Sequence, residues 1–173
     1  MNTVSPWLAI GIMVGLVLCV IFARLANKDH KTKTEYDERQ KAIRGRGYMF
    51  GFYTLLIFEA VIVILGMSGV ELPVDAYLVH FAGILIGLLV FVCYCIWNDG
   101  YWGINNDRKR YAIIFAVAAL LNAIPIVGVI RDGTLYKDGK FSIQILNVMV
   151  LAMLIIVILV LAVKGLVDRR AED

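Results

Sequence analysis

Hydrophobic and polar positions along the chain fall into five long apolar runs, at about residues 6–26, 48–67, 76–97, 111–130 and 142–164, separated by polar segments. Each run is near the ~20 residues that an α-helix needs to cross ~30 Å of hydrocarbon, so each predicts a membrane-spanning helix. Transmembrane β-barrels would show alternating segments of ~10 residues, whereas these runs are continuous and satisfy their backbone in lipid only as helices. The expected fold is all-α: one membrane domain over 1–173, a polytopic integral membrane protein with five transmembrane helices. A hydrophobic content of 61% and a mean hydropathy of +0.80 exclude a large water-soluble core, since soluble domains are about 45–50% apolar.

Charge adds an orientation. Assigning the loops alternately to two sides places fourteen Lys and Arg on one side and only Arg131, Lys137 and Lys140 on the other. The positive-inside rule then puts the N-terminus outside and the C-terminus in the cytoplasm. Trp7, Tyr77, Tyr136 and Phe141 fall at the outer boundary, and Tyr48, Trp97, Tyr101, Trp102 and Tyr111 at the inner one, as aromatic belts do. Residues 1–6 carry no Lys or Arg, so the first run lacks the basic flank of a signal peptide and is expected to persist as a helix. Cys19, Cys93 and Cys95 all lie in predicted spans. No extracytoplasmic disulfide framework is expected, and Cys93 and Cys95 point about 200° apart on a helix, against joint metal ligation.

The only long polar stretch is the cytoplasmic linker 27–47. Glu35 with Arg39 and Asp37 with Lys41 are acid-then-base pairs at i,i+4. Tyr36, Ile43 and the stems of Arg39 and Gln40 share a stripe. The pattern predicts a short amphipathic helix at the membrane surface, ended by Gly45 and Gly47. One reading is a solvated elbow touching lipid headgroups; the sharper one is a docking segment for a partner, carried by Asp37, Glu38, Arg39, Lys41 and Arg44.

Residues 35–40, Glu-Tyr-Asp-Glu-Arg-Gln, lead through Ile43-Arg44-Gly45-Arg46 into the aromatic start of the second run. In this the chain resembles small polytopic membrane proteins of unknown function from Gram-positive bacteria, in which an Asp-Glu-Arg-containing linker joins the first helix to a four-helix remainder. The resemblance implies a bacterial plasma-membrane protein, in a group that accompanies small transcriptional regulators. It carries no activity or catalytic residue to transfer.

Short loops predict antiparallel hairpins from the second and third runs and from the fourth and fifth, with outward turns. The outer hairpin loop 131–141 contains Asp138-Gly139 between short alternating runs, the signal of a type I′ β-turn. The inner loop 98–107 scatters Asp and Asn near glycines without the ligand spacing of an EF-hand. It reads as a turn in which Asn106 or Asp107 caps the next helix.

Five polar residues inside the predicted spans stand out as candidates: Glu59, His80, Asn122, Gln144 and Asn147. An ionised acid near the bilayer centre costs on the order of 3 kcal/mol or more, so Glu59 is expected to face protein or water. His80 shares a face with Gly83 and Gly87, along which another helix can approach. The functional reading is a polar pocket open to the outside, with Glu59 and His80 as a protonatable pair; the alternative is interhelical hydrogen bonding that specifies packing. Three small-xxx-small stripes, 11–15, 47–51 and 83–87, serve close packing of the first and third helices or homo-oligomerisation through the first.

No HExxH, GxSxG or P-loop motif is present, so neither catalysis, a cofactor nor a metal is expected. Nucleic-acid binding is not expected either, because the basic residues are the cytoplasmic flank of the spans. Two functions remain. The leading one is a non-enzymatic accessory, regulatory or sensory subunit acting on a membrane or cytoplasmic protein partner, amid membrane lipids. The other is an oligomeric small-solute or proton-coupled transporter using Glu59 and His80.

Overall fold

The computed structural model of the protein describes residues 13, 17, 20–22, 24–29, 33–137 and 139–172, and of Arg108, Lys137, Ala171 and Glu172 the backbone alone. Four long helices dominate: α1 (Glu38–Met67), α2 (Ala76–Trp97), α3 (Arg108–Asp132) and α4 (Ile145–Glu172), of 30, 22, 25 and 28 residues. A two-stranded ribbon, β1 (Tyr136–Lys137) with β2 (Lys140–Phe141), joins α3 to α4. Each helix is long and apolar enough to cross a membrane. The count of spans among the described residues is therefore four, not the expected five. Of the run at 6–26, residues 13, 17, 20–22 and 24–26 are helical, and the rest of the expected first span lies outside the described residues.

The linker also departs from expectation. No separate amphipathic helix ends at Gly45 and Gly47; α1 begins at Glu38 and passes through both glycines. Its start is set by a capping box: the Asp37 carboxylate accepts from the Gln40 amide at 2.7 Å, and the Gln40 side chain accepts from the Asp37 amide at 3.2 Å. Its continuity is set by packing. Gly47 is buried against α2, where a Cβ would lie 3.0 Å from Cys95 Sγ, and such contact offsets the ~1 kcal/mol cost of a helical glycine. The expected i,i+4 pairs do not form, because Glu35 precedes the helix and Asp37 is its cap. Lys41 instead meets Glu38 at 2.6 Å. At ~1.5 Å per residue α1 is about 45 Å long, more than the ~30 Å of a hydrocarbon core, and its first turns are polar.

A short loop turns α1 back along α2. Gly51 and Gly87 meet backbone to backbone: a Cβ on Gly51 would sit 2.7 Å from the Gly87 carbonyl oxygen, and one on Gly87 would sit 2.9 Å from that of Gly51. Tyr48 stacks on Phe91 with centroids 4.3 Å apart. The 47–51 and 83–87 stripes thus pack the second apolar run on the third, because the eight-residue turn makes those two immediate neighbours. The 11–15 stripe lies outside the described residues.

Extensive packing joins α1 to α2, α2 to α4 and α4 to α3. Both expected hairpins therefore form. The ribbon pairs Tyr136 with Phe141 and Lys137 with Lys140 in antiparallel register, and Gly139 takes the positive φ of +81° that the turn requires. The Phe141 amide donates to the Pro73 carbonyl at 2.8 Å, and Lys140 meets Asp75 at 3.2 Å, so the two loops at this end of the bundle are joined. Asp107 caps α3, its carboxylate accepting from the amides of Lys109 and Arg110 at 3.0 and 3.3 Å. Pro125 does not end α3, which runs on to Gly133 in the left-handed conformation.

Candidate functional site

At the end of the bundle opposite the ribbon, residues 26–29 and 33–37 lie against the 98–107 loop. The two segments are zipped together by side-chain amides. Asn27 and Asn106 are only 1% and 6% exposed and face each other across an isolated antiparallel bridge. Asn106 Nδ2 donates to Asn27 Oδ1 at 2.6 Å, while Asn106 Oδ1 accepts from the Gly103 amide at 2.7 Å. Asn105 reaches the other way. Its Nδ2 donates to the Asp29 carboxylate at 3.2 Å and to the Lys33 carbonyl at 3.1 Å, and its Oδ1 accepts from the Glu35 amide at 2.9 Å.

Backbone bonds complete the clamp. The amides of Lys28, Asp107 and Ile104 donate to the carbonyls of Asn105, Ala26 and Glu35 at 2.8, 3.0 and 2.8 Å. Gln40 Nε2 donates to the Trp102 carbonyl at 2.9 Å, so α1 itself is tied to the loop. Arg110 closes the far side, with Nη1 donating to the Leu25 and Asn27 carbonyls at 3.2 and 3.3 Å and Nε 3.3 Å from Asp107. Gly103 is required by space, since a Cβ there would collide with the Thr34 side chain and the Glu35 carbonyl. Lys164 on α4 meets Asp99 at 3.3 Å and Asp168 at 2.6 Å, which brings the fourth helix to the same loop.

Aromatic rings fill the space beneath. Trp102 meets Tyr101 and Tyr111 edge to face at 4.9 and 5.3 Å, and the Arg44 guanidinium lies 4.2 Å from the centre of the Tyr36 ring. Burial raises the Tyr101 hydroxyl well above the usual tyrosine range, reinforced by the neighbouring Tyr111 and Tyr36 hydroxyls. Tyr36 is raised by burial too, with the Arg44 charge opposing. Of the expected docking residues, Asp37 is committed as a cap and Arg44 is stacked on rings. Glu38, Arg39 and Lys41 are exposed.

The five polar residues expected within the spans separate. Glu59 on α1 and His80 on α2 meet, with His80 Nδ1 2.8 Å from Glu59 Oε2. Gly83, one turn along from His80, leaves the space for this approach: a Cβ there would lie 3.1 Å from Glu59 Oε1. His80 also lines a cavity of about 180 Å³ under the 68–75 loop, together with Ile62, Leu65, Leu72 and Val79. Asn122 does not join the pair. α3 packs on α4 rather than α1, and Asn122 Nδ2 donates to the Ala118 carbonyl of its own helix at 2.8 Å. Gln144 and Asn147 are half-buried at the start of α4, and Gln144 Oε1 is buried without a hydrogen-bond partner. The five residues therefore give one interhelical pair, Glu59 with His80, while Asn122 bonds within its own helix. Among the described residues no three His, Cys, Asp or Glu side chains gather as a metal site.

The asparagine clamp was not foreseen, because Asn27 and Asn106 are 79 residues apart and lie in segments with no periodicity. The one local signal is a pair of adjacent asparagines in a glycine-containing loop beside an expected helix cap.

Fold and site define an all-α chain with four helices that can cross a membrane, an acid–histidine pair between two of them, and a polar clamp at one end. No family model, curated protein or solved structure matches it.

Proposed function

We propose that this chain is a non-enzymatic multi-pass protein of the bacterial plasma membrane, with its N-terminus outside and C-terminus in the cytoplasm, acting through protein interaction as an accessory, regulatory or sensory subunit. The observation that carries the reading is the clamp. Two loops on the basic side are built into one ordered surface by buried side-chain amides, and a solvated elbow has no use for such an arrangement. Glu38, Arg39 and Lys41 project from it on α1, whose first turns stand clear of the hydrocarbon and are held by the Gln40 bond to Trp102. The resemblance of the Asp-Glu-Arg linker to small Gram-positive membrane proteins supports the bacterial plasma-membrane location. The experiment is crosslinking in native membranes followed by mass spectrometry of the tagged complex. A stoichiometric partner lost on charge reversal at Arg39 and Lys41 is expected; a partner retained undiminished by that variant overturns the reading.

A second reading is favoured by the Glu59–His80 pair beneath its cavity: an oligomeric proton-coupled carrier opening to the outside. Glu59→Gln would then abolish solute flux in proteoliposomes while leaving expression and oligomeric state unchanged. Undiminished flux in that variant would remove the carrier.

A further inference from the structure

A groove of about 440 Å³ opens between the described turns of the first apolar run and α3. Its walls are Phe22 and Leu25 on one side and Ile113, Ile114 and Val117 on the other, with Arg110 at the polar end. Positions 110, 113, 114 and 117 form one stripe of α3, so the apolar wall runs about 10 Å below Arg110. The Arg110 guanidinium is fixed there by the Leu25 and Asn27 carbonyls. A polar cavity of about 580 Å³ adjoins it, lined by Lys28, Gln40, Asp107 and Lys109 among others. The Asp107 carboxylate is occupied by Arg110 and by two amides of α3. Lys28 and Lys109 carry no ion pair among the described residues, and both are exposed.

An apolar slot at acyl-chain depth thus ends beside two uncompensated ammonium groups at headgroup depth. We infer that it holds one anionic phospholipid, with a chain between Phe22 and Leu25 on one side and α3 on the other and its phosphate at Lys28 and Lys109. Charge complementarity selects this occupant over a neutral lipid. A helix of a second copy, 10–12 Å across with its side chains, does not enter a slot of this volume. The inference rests on the topology proposed above only for the choice of leaflet. Binding itself is read in detergent, where orientation plays no part, so either can fail without the other.

The test is native mass spectrometry of the full chain purified in mild detergent and exposed to equal phosphatidylglycerol and phosphatidylcholine. Preferential retention of one phosphatidylglycerol is expected, and Lys28→Ala with Lys109→Ala should weaken it by about fivefold per lysine removed. Ile113→Trp should fill the slot and reduce retention of both lipids, and Val117→Phe provides a second blocking variant. Each variant is first checked for unchanged helicity and a single oligomeric state, and one that fails this check is replaced by the other. Equal retention of the two lipids by the parent chain overturns the inference, as does a preference that survives the double lysine variant. Displacement of phosphatidylglycerol by soluble glycerol phosphate would assign the lysines to a free anion and overturn it equally.

Discussion

Asn106 Nδ2 donates to Asn27 Oδ1 at 2.6 Å, joining two segments 79 residues apart in a site where both side chains are almost wholly buried. The bond holds the exit of the first apolar run against the entry of α3. Because Asn106 Oδ1 also accepts from the Gly103 amide, a single side chain organises its own loop and locks that loop to the other.

Asn106→Leu is expected to cost about 1–3 kcal/mol, since it removes the buried bonds to Asn27 Oδ1 and from the Gly103 amide. Hydrogen exchange at 98–107 should accelerate, and so should limited proteolysis at the linker. The combined Asn27→Leu and Asn106→Leu variant should cost less than the sum of the two single changes, because the orphaned partner is removed with it. Additive losses would show that the two amides are not coupled.

Gly51→Ala and Gly45→Ala should differ in sign. At Gly51 the new methyl would lie 2.7 Å from a backbone carbonyl on α2, so the hairpin must open; at Gly45 it would meet nothing within 4 Å. Unfolding in detergent should show Gly51→Ala destabilised, and Gly45→Ala stabilised by about 0.5–1 kcal/mol from helix propensity.

Glu59→Leu should leave His80 without its partner and lower stability by about 1–3 kcal/mol, whereas Glu59→Gln keeps a group that can bond either imidazole tautomer. Thermal unfolding of both variants in the same detergent should rank wild type and Gln close together and Leu below. Equal loss in the two would mean that charge, not hydrogen bonding, holds the pair.

The buried Tyr101 hydroxyl gives a pH dependence. Its folded value lies above the ordinary tyrosine value of about 10, so the unfolded chain releases this proton first. The stabilising contribution is complete below pH 10 and declines as pH rises from there toward the folded value. Tyrosinate absorbance should therefore show late-titrating groups in the folded protein, Tyr101 the latest of those raised, and Tyr101→Phe should remove that latest group. Stability should also fall less steeply above pH 10 in the variant.

The helices were legible in the sequence because a lipid-spanning backbone must satisfy itself within one continuous apolar run. That constraint is local, and it located α2 between Ala76 and Trp97 to the residue. A cap at Asn106 or Asp107 and a ribbon turning at Gly139 were legible for the same reason, since each depends on neighbours within a few residues. The start of α1 was not. Gly45 and Gly47 read as a terminus, and only burial of Gly47 on α2, together with the Asp37 capping box, carries the helix through them.

Composition and the placement of charge determined by themselves that this is an all-α chain with several apolar helices and a basic end. They also singled out Glu59 and His80 as residues needing partners. Only the tertiary structure decided that those two pair with each other and that Asn122 stays with its own helix, because helix rotation and packing order are set by contacts between distant segments. The clamp belongs to the same class: a hydrogen bond between Asn27 and Asn106 leaves no periodic trace in either segment, and it exists once the bundle has brought them within reach.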